Sequence, residues 1–263
     1  MIRRIFAAYV VELSKSLRLF APWFGPGLVL AAVVAALYMH PITRDGSSDF
    51  AFVGYAVPAS LNLIGFLMVL VYSAGLVAGE VERGTIRTVL VRPLLRGEFL
   101  AAKYLNAMTY AFFLTAIAAI SAWVLAAVRG EVTGVDFGGE LIYTGQEMNT
   151  AFAIALALNF VPHMTGAAYA VMISTLARRS ATAITAAVGG WLISDYAKHA
   201  LHVDRFLFST YLDQSWMVFA DRCQGLQVTF FPDAAIGLAV CAAWLVLFVG
   251  VAFVVIHRRN FGP

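Results

Sequence analysis

The chain has 263 residues, of which 61% are hydrophobic and 13% charged, and its formal net charge is +3. Soluble domains are about 45–50% apolar and about 25% charged, so this composition excludes a water-soluble globular domain. At roughly 20 residues per membrane-spanning helix, the length accommodates about six spans with their loops. We therefore predict an all-α polytopic membrane protein that forms a single transmembrane domain over residues 1–263.

The first 20 residues are amphipathic rather than continuously apolar. One helix face collects the apolar side chains Ile2, Ile5, Phe6, Tyr9, Leu13 and Phe20. The charged side chains Arg4, Glu12, Lys15 and Arg18 lie away from that face. A helix of this kind lies in the membrane interface rather than across the bilayer, so we predict an interfacial helix over residues 1–20. The alternative is that these residues form the first turns of span one.

Six apolar stretches predict transmembrane spans at residues 22–39, 52–78, 106–128, 151–176, 181–197 and 234–256. Residues 129–150 form an acidic loop. Residues 198–233 are too polar to span freely, yet they are rich in aromatic residues: Phe206, Phe208, Tyr211, Trp216, Phe219, Phe230 and Phe231. Because amphipathic rings collect at membrane interfaces, this segment predicts outer interfacial or re-entrant helices between spans five and six.

The distribution of Lys and Arg predicts the orientation. With the N-terminus inside, the inner segments carry 13 basic residues against 4 acidic ones, and the outer segments carry 5 basic against 11 acidic. Basic residues accumulate on the cytoplasmic side of membrane proteins. We therefore predict that both termini are cytoplasmic.

The longest charged interruption, residues 79–105, reads GEVERGTIRTVLVRPLLRGEFLAAKYL. Ile86, Val89 and Leu90 have the spacing of one helix face. Pro93 then breaks the helix, and Gly97-Glu98 restart one that continues into span three. The stretch predicts a short helix at the membrane surface, a kink and a re-entry.

This stretch resembles the type-2 ABC transporter permeases. In that family an E-x-x-x-G-T motif precedes an apolar–basic run, a Pro-containing turn and a Lys before span three. The corresponding residues here are Glu80, Gly84, Thr85, Pro93, Arg96 and Lys103. The amphipathic N-terminus, the six spans and the closing pair Arg258-Arg259 are also similar. The family often has an acidic residue after that pair, whereas this chain has Asn260.

The resemblance implies an exporter subunit of the cytoplasmic (inner) membrane. Two permease copies, identical or paralogous, each dock a separate ATP-binding subunit through residues 79–105. The implied docking residues are Glu80, Glu82, Arg83, Gly84, Thr85, Arg87, Arg92 and Pro93. In physical terms, Arg83 and Arg87 can pair with carboxylates of the partner, Glu80 and Glu82 with its basic groups, and Gly84 permits close backbone approach. The alternative is that residues 79–105 form a cytoplasmic loop whose charges only keep it solvated.

The chain contains no GxxxxGK[ST] phosphate-binding loop, so we expect it to be no enzyme by itself and to bind no cofactor. ATP and magnesium would belong to the partner subunit, with the lipid bilayer as the other partner and no nucleic acid. The small residues of span five, including Gly189 and Gly190, make it a candidate for the contact between the two copies.

The predicted spans contain few polar side chains. Asn62, Asn159 and His163 are candidates for the translocation path, since ionisable groups inside membranes are often functional. A neutral His163 bonded to a neighbouring helix is the alternative. The mostly uncharged path favours an amphiphile, lipid-linked molecule, hydrophobic drug or peptide over a free ion.

Other sites and functions were also considered. Asp195, His199 and His202 share a helix face and form a weak candidate metal site, and no other metal site is predicted. Ser174, Ser180 and Ser194 lack the flanking residues of an intramembrane serine protease. A non-transporting membrane scaffold or assembly factor, or an ion-coupled secondary transporter, would also be an apolar polytopic protein.

Overall fold

The computed structural model describes residues 2–42, 48–85, 95–137 and 140–259. Within these ranges, five helices are long and apolar enough to cross a membrane: Pro22–Met39, Phe50–Glu82, Arg96–Arg129, Gly145–Leu176 and Asp233–Arg258. They coincide with five of the six predicted spans and agree with an all-α polytopic class. The remaining predicted span, residues 181–197, lies in a 21-residue helix that is not among those five. Six spans therefore stay a prediction.

The described elements follow one another along the chain with short connections. The helices are α1 (Ile2–Arg18), α2 (Ala21–Met39), α3 (Phe50–Ala59), α4 (Phe66–Glu82), α5 (Arg96–Arg129), α6 (Gly145–Leu176), α7 (Ser180–Ala200), α8 (Tyr211–Cys223) and α9 (Asp233–Arg258). A π-helical segment, Ser60–Gly65, joins α3 to α4, and two 3₁₀ turns, Asp204–Phe206 and Phe208–Thr210, precede α8. Two strands, β1 (Val135–Phe137) and β2 (Glu140–Tyr143), lie between α5 and α6. We call the end of the bundle near these strands the hairpin end and the opposite end, where Arg83 and Arg258 lie, the basic end.

Helix α6 is the centre of the bundle and packs against α4, α5, α7, α8 and α9. Its small residues Gly166, Ala167 and Ala168 are buried, which lets neighbouring backbones approach closely. Ser174 hydrogen-bonds directly to the α4 backbone, because its hydroxyl accepts from the amides of residues 77 and 78 and donates to the carbonyl of residue 74. This buried hydroxyl is thus occupied in joining α6 to α4.

Several helices extend beyond the predicted spans. Helix α4 continues past residue 78 to Glu82, α6 begins at Gly145 rather than at residue 151, and α5 begins at Arg96. Charged residues of the stretch 79–105 lie within these helices, where Glu80 and Lys103 pair with one another, as described below. The predicted restart at Gly97-Glu98 is confirmed, since the Glu98 carboxylate accepts the Leu95 amide at 3.1 Å.

Helix α1 packs against α5 through a mixed face, on which Ile5, Tyr9 and Leu13 of the predicted apolar face lie beside Glu12. Glu12 is buried, whereas Ile2 and Phe6 are exposed. Tyr9 also hydrogen-bonds to Thr109 of α5. The physical reason is that the Glu12 carboxylate finds cations inside the bundle, while lipid can cover the apolar residues. The interfacial position of α1 stays a prediction.

Residues 129–150, predicted as an acidic loop, contain an antiparallel hairpin formed by β1 and β2. Phe137 pairs with Glu140 and Val135 with Tyr143, with an irregularity after Val135. Thr144 then caps α6 by accepting the Glu147 amide. The hairpin is too short for a clear alternating pattern, which explains why the sequence did not predict it.

The aromatic residues of 198–233 mostly belong to the core of the bundle. Five of them are buried, namely Phe208, Tyr211, Trp216, Phe219 and Phe230, while Phe206 and Phe231 are exposed. Helix α8 presents its aromatic side to α3 and α6. The interfacial or re-entrant position of this segment stays a prediction.

Candidate functional site

A cluster of four charged side chains joins three helices near the basic end. The Lys103 ammonium of α5 lies 2.5 Å from a Glu12 oxygen of α1 and 2.7 Å from a Glu80 oxygen of α4. Lys15 reaches the other Glu12 oxygen at 2.8 Å and Glu80 at 3.5 Å. Lys103 is only 1% exposed. We call these four residues the ion cluster.

The ion cluster is balanced, because two carboxylates face two ammonium groups. Burial by itself raises the pKa of Glu12, but the nearby Lys103 and Lys15 outweigh it and hold that pKa below its ordinary value of 4.5. For Lys15, burial lowers the pKa, while Glu12 and Glu80 raise it above 10.5 overall. Each charge is therefore stabilised by its neighbours, and the cluster holds α1 against α4 and α5.

The attachment of α1 should consequently depend on pH. A lowered carboxylate pKa contributes stability above the ordinary value of 4.5, and this contribution is lost as pH falls below it towards the pKa of the folded state. The raised Lys15 pKa contributes stability that is complete below 10.5 and lost above it. We expect hydrogen exchange of the α1 amides, corrected for intrinsic rates, to be slow and constant between these limits and faster outside them. In the Glu12→Gln variant, the increase in the exchange rate of the α1 amides at acid pH should be smaller. An increase equal to that of the wild type would show that Glu12 does not cause it.

The Glu80 side chain is buried and pairs with Lys103, so its carboxylate is turned into the bundle. A direct contact of Glu80 with a docked partner stays a prediction. Glu82 is exposed, but its carboxylate accepts hydrogen bonds from the Ser180 amide and hydroxyl at the start of α7. These two acidic residues of the motif therefore tie α4 to α1, α5 and α7.

The turn after α4 contains the remaining described motif residues. Gly84 has φ +69, a left-handed conformation that favours glycine, and no described atom lies within 4 Å of where its Cβ would be. The left-handed turn at the end of α4 therefore favours a glycine here, and the close approach of a partner's backbone to Gly84 stays a prediction. Arg83 is exposed and donates to the carbonyl of Gly79, and Thr85 donates to the carbonyl of Glu80 at 3.4 Å.

Arg96 anchors the other flank of the charged stretch. Its guanidinium donates to the backbone carbonyls of Ile256, His257 and Arg259 at 3.1, 2.8 and 3.1 Å. These carbonyls lie at the C-terminal end of α9, where the helix leaves acceptors without intrahelical partners. Arg259 in turn donates to the Thr175 carbonyl near the end of α6. The predicted docking residues Arg87, Arg92 and Pro93, and the predicted surface helix at Ile86–Leu90, lie outside the described residues.

A second polar group contains the three predicted path residues, Asn62, Asn159 and His163, which lie close together in the bundle. Asn159 donates to the Asn62 side chain at 3.3 Å and to the Leu212 carbonyl at 2.7 Å. Asn62 donates to Asp213 of α8 at 2.5 Å. Asn159 and His163 are fully buried, whereas Asp213 is exposed. Asp213 was missed because it lies in a segment whose depth the sequence does not indicate.

His163 is held by backbone carbonyls on both sides of its ring. Nδ1 lies 2.9 Å from the Asn159 carbonyl and Nε2 lies 3.5 Å from the Leu61 carbonyl. The Phe66 ring contacts it edge-on, with ring centroids 5.5 Å apart. Leu61 and Asn62 belong to the π-helical segment, a type of distortion that is frequent at functional sites. The shorter contact of the ring is with its own helix and the longer one is with the neighbouring segment, so both interpretations of His163 stay predictions.

The weak metal candidate is not assembled by the described residues. Helix α7 ends at Ala200, so His202 lies beyond it, in a backbone conformation with φ 54. The Asp195 carboxylate pairs with Lys198 at 2.6 Å. The His199 side chain is outside the described part of the structure. Among the side chains that are described, no group of three His, Cys, Asp or Glu residues could hold a metal ion.

Comparison with known families adds an independent observation. A family profile described as ABC-2 family transporter protein matches residues 27–197, which is more than half of the chain. The chain belongs to the ABC-2 transporter family. This ABC-2 protein is therefore a multi-pass membrane protein of the permease type, in agreement with its five long apolar helices.

The matched region of this ABC-2 chain begins in α2 and ends in α7, and includes the E-x-x-x-G-T motif and the central helix α6. The chain is also similar to the uncharacterized protein YhcI of Bacillus subtilis (strain 168), with 25% identity over 221 residues. This alignment covers 77% of the present chain and 66% of the relative, so the chain spans somewhat less than two thirds of that protein's length.

Proposed function

We propose that this ABC-2 protein is the permease subunit of an ATP-driven exporter in the cytoplasmic membrane. It would form the translocation path with a second copy, identical or paralogous, and would dock a separate subunit that binds ATP and magnesium. Family membership supports the permease part of this proposal. Export, the dimer and the docked ATPase are the parts that experiments must test.

The main support for the proposal is that residues on both sides of 86–94 are ion-paired or hydrogen-bonded to other helices. On one flank, Glu80 pairs with α1 and α5 through the ion cluster, and Glu82 bonds to Ser180 of α7. On the other flank, Arg96 bonds to the end of α9. A force applied between these flanks would therefore act on five helices together, which is the mechanical property that coupling to a motor requires.

The same geometry divides the motif residues into two groups. Glu80, which is buried in the bundle, would hold the end of α4 in place rather than contact the partner. The docking surface would be formed by Arg83 and Thr85, which are exposed, together with Arg87, Arg92 and Pro93. Gly84 would set the turn that presents them. Arginine suits this role because its planar group makes paired hydrogen bonds to carboxylates of a partner.

In the proposed path, the exposed Asp213 and the half-buried Asn62 would provide the polar surface. Asn159 and His163 would support it from behind, since both are buried and bonded within the chain. The second copy would pack on the exposed small residues of α7, which include Thr182, Thr185 and Ala186. In this arrangement α7 would be the sixth span.

A pull-down of the tagged chain in mild detergent tests the docking proposal. We expect an ATP-binding subunit to co-purify and the preparation to hydrolyse ATP. The double charge reversal Arg83→Glu with Arg87→Glu should remove the subunit or uncouple its ATPase, because it replaces two cations of the docking surface with anions. Mass spectrometry of the co-purifying bands and an ATPase assay provide the two measurements.

The matched control is Arg3→Glu with Arg18→Glu in α1, which makes the same change of charge at two exposed positions outside residues 79–105. This control should still co-purify the ATPase. If the wild-type chain comes down alone while remaining dimeric, the docking proposal is wrong and a membrane scaffold becomes the better interpretation.

A further inference from the structure

A large apolar groove lies between α5 and α6 in the half of the bundle near the hairpin. Its volume is about 740 Å³, which is within the range of small-molecule sites. Ala116, Ala119, Ala153 and Ala157 are among its lining residues, and it exists because these small side chains face one another between larger ones. None of the residues discussed under the proposed function lines it.

Both ends of the groove have a defined chemistry. Near the hairpin end, the Trp123 indole donates to the Asn149 side chain at 3.1 Å and bridges the two helices. At the other end, the Phe112 and Phe160 rings meet edge to face, with centroids 5.7 Å apart. The groove thus has a polar end near the hairpin end of the bundle and an aromatic end towards the middle of the bundle.

Its length corresponds to one leaflet of a bilayer. The lining residues of α5 run from Phe112 to Val124, which is about 18 Å at 1.5 Å per residue. One half of the hydrocarbon core of a bilayer is about 15 Å thick. Trp123 lies about 9 Å from the end of α5 by the same rise per residue, a depth typical of interfacial tryptophan. Both helices are among the five that could cross a membrane.

We propose that this groove binds one acyl chain of a membrane phospholipid. The methyl end would lie against Phe112 and Phe160, the chain would run over the alanines, and the ester and headgroup region would lie next to Trp123 and Asn149. An acyl chain is the occupant that fits, because the lining is almost entirely apolar, one end is polar and the groove is open on the side where Phe112, Ile120 and Val124 are exposed. The proposal is independent of docking and of ATP hydrolysis.

The test uses the full chain in proteoliposomes that contain a phospholipid with a diazirine in one acyl chain. After illumination, mass spectrometry maps the adducts along the sequence. We expect adducts concentrated on residues 112–124 and 149–160, severalfold above the exposed apolar face of α9, which includes Leu238, Val246 and Leu247. This face provides an internal reference for ordinary contact with bulk lipid.

The variant Ala153→Phe with Ala157→Phe fills the groove from two exposed positions, so the core of the bundle is not changed. It should reduce labelling of the groove severalfold and leave labelling of α9 unchanged. Ala243→Phe in α9 is the matched control, because it adds the same side chain at an exposed position of similar depth, and it should leave labelling of the groove unchanged.

Two outcomes would overturn the proposal. Labelling of the groove equal to that of the α9 face, and insensitive to the filling variant, would show ordinary contact with bulk lipid only. Absence of labelling together with disulfide cross-linking of an Ile120→Cys variant into dimers would show that a second copy covers the groove. Neither result depends on an ATPase partner, so failure of this proposal is distinguishable from failure of the proposed function.

Discussion

The substitution Lys103→Met should destabilise the protein by about 3–5 kcal/mol, because it removes the ammonium between two buried carboxylates. Glu12 and Glu80 would then share only Lys15, which is half-exposed and 3.5 Å from Glu80. Methionine has nearly the same length, so loss of packing contributes little. Denaturant unfolding of the purified protein in detergent, followed by its tryptophan fluorescence, measures the change.

The ion cluster itself provides two controls. Lys15→Met removes a half-exposed cation, and we expect a loss of about 1 kcal/mol or less. The triple variant Glu12→Gln, Glu80→Gln and Lys103→Met removes all buried charges together and should recover most of the lost stability, since the penalty arises from unpaired buried charge. A Lys103→Met variant as stable as Lys15→Met would show that the cluster is not a structural connection.

The substitution Gly166→Ala should destabilise the protein by about 1–3 kcal/mol through overpacking in the core. A Cβ at this position overlaps the Phe66 ring of α4. That ring has little room to move, because Trp191, His163 and Phe208 surround it at centroid distances of 5.0, 5.5 and 6.3 Å. The same unfolding measurement applies, and His163 would be displaced with the ring.

Gly75→Ala in α4 is the matched control for Gly166→Ala. No described atom lies within 4 Å of a Cβ at this position, so only the better helix propensity of alanine should act. We expect Gly75→Ala to be neutral or slightly stabilising. Equal effects of the two substitutions would contradict the close packing of α6 on α4.

The ion cluster illustrates what the sequence could and could not predict at the candidate site. Glu80 and Lys103 were recognisable as motif residues, but their pairing was not, because 23 residues separate them and a kink was predicted between them. The burial of Glu12 was not predicted either, since an amphipathic pattern shows which residues share a face but not which face contacts the protein. For a helix beside lipid, the apolar face and the protein-facing face need not coincide.

The polar group around Asn62 was also predictable only in part from the sequence. Asn62, Asn159 and His163 were predictable as a set, because polar residues are rare in apolar spans. Asp213 was not, since its segment has the composition of a surface helix. Only the packing of α8 between α3 and α6 brings it to Asn62.

The sequence by itself predicted the membrane class, the approximate positions of the five long apolar helices and the resemblance to the family that the profile match shows. These properties follow from composition and from local patterns, which are set by residues close together along the chain. The tertiary structure decided which charges pair, which aromatic residues enter the core and where the groove between α5 and α6 lies. Each of these depends on contacts between helices that are distant in sequence, and the hydropathy of a single helix contains no information about its neighbour.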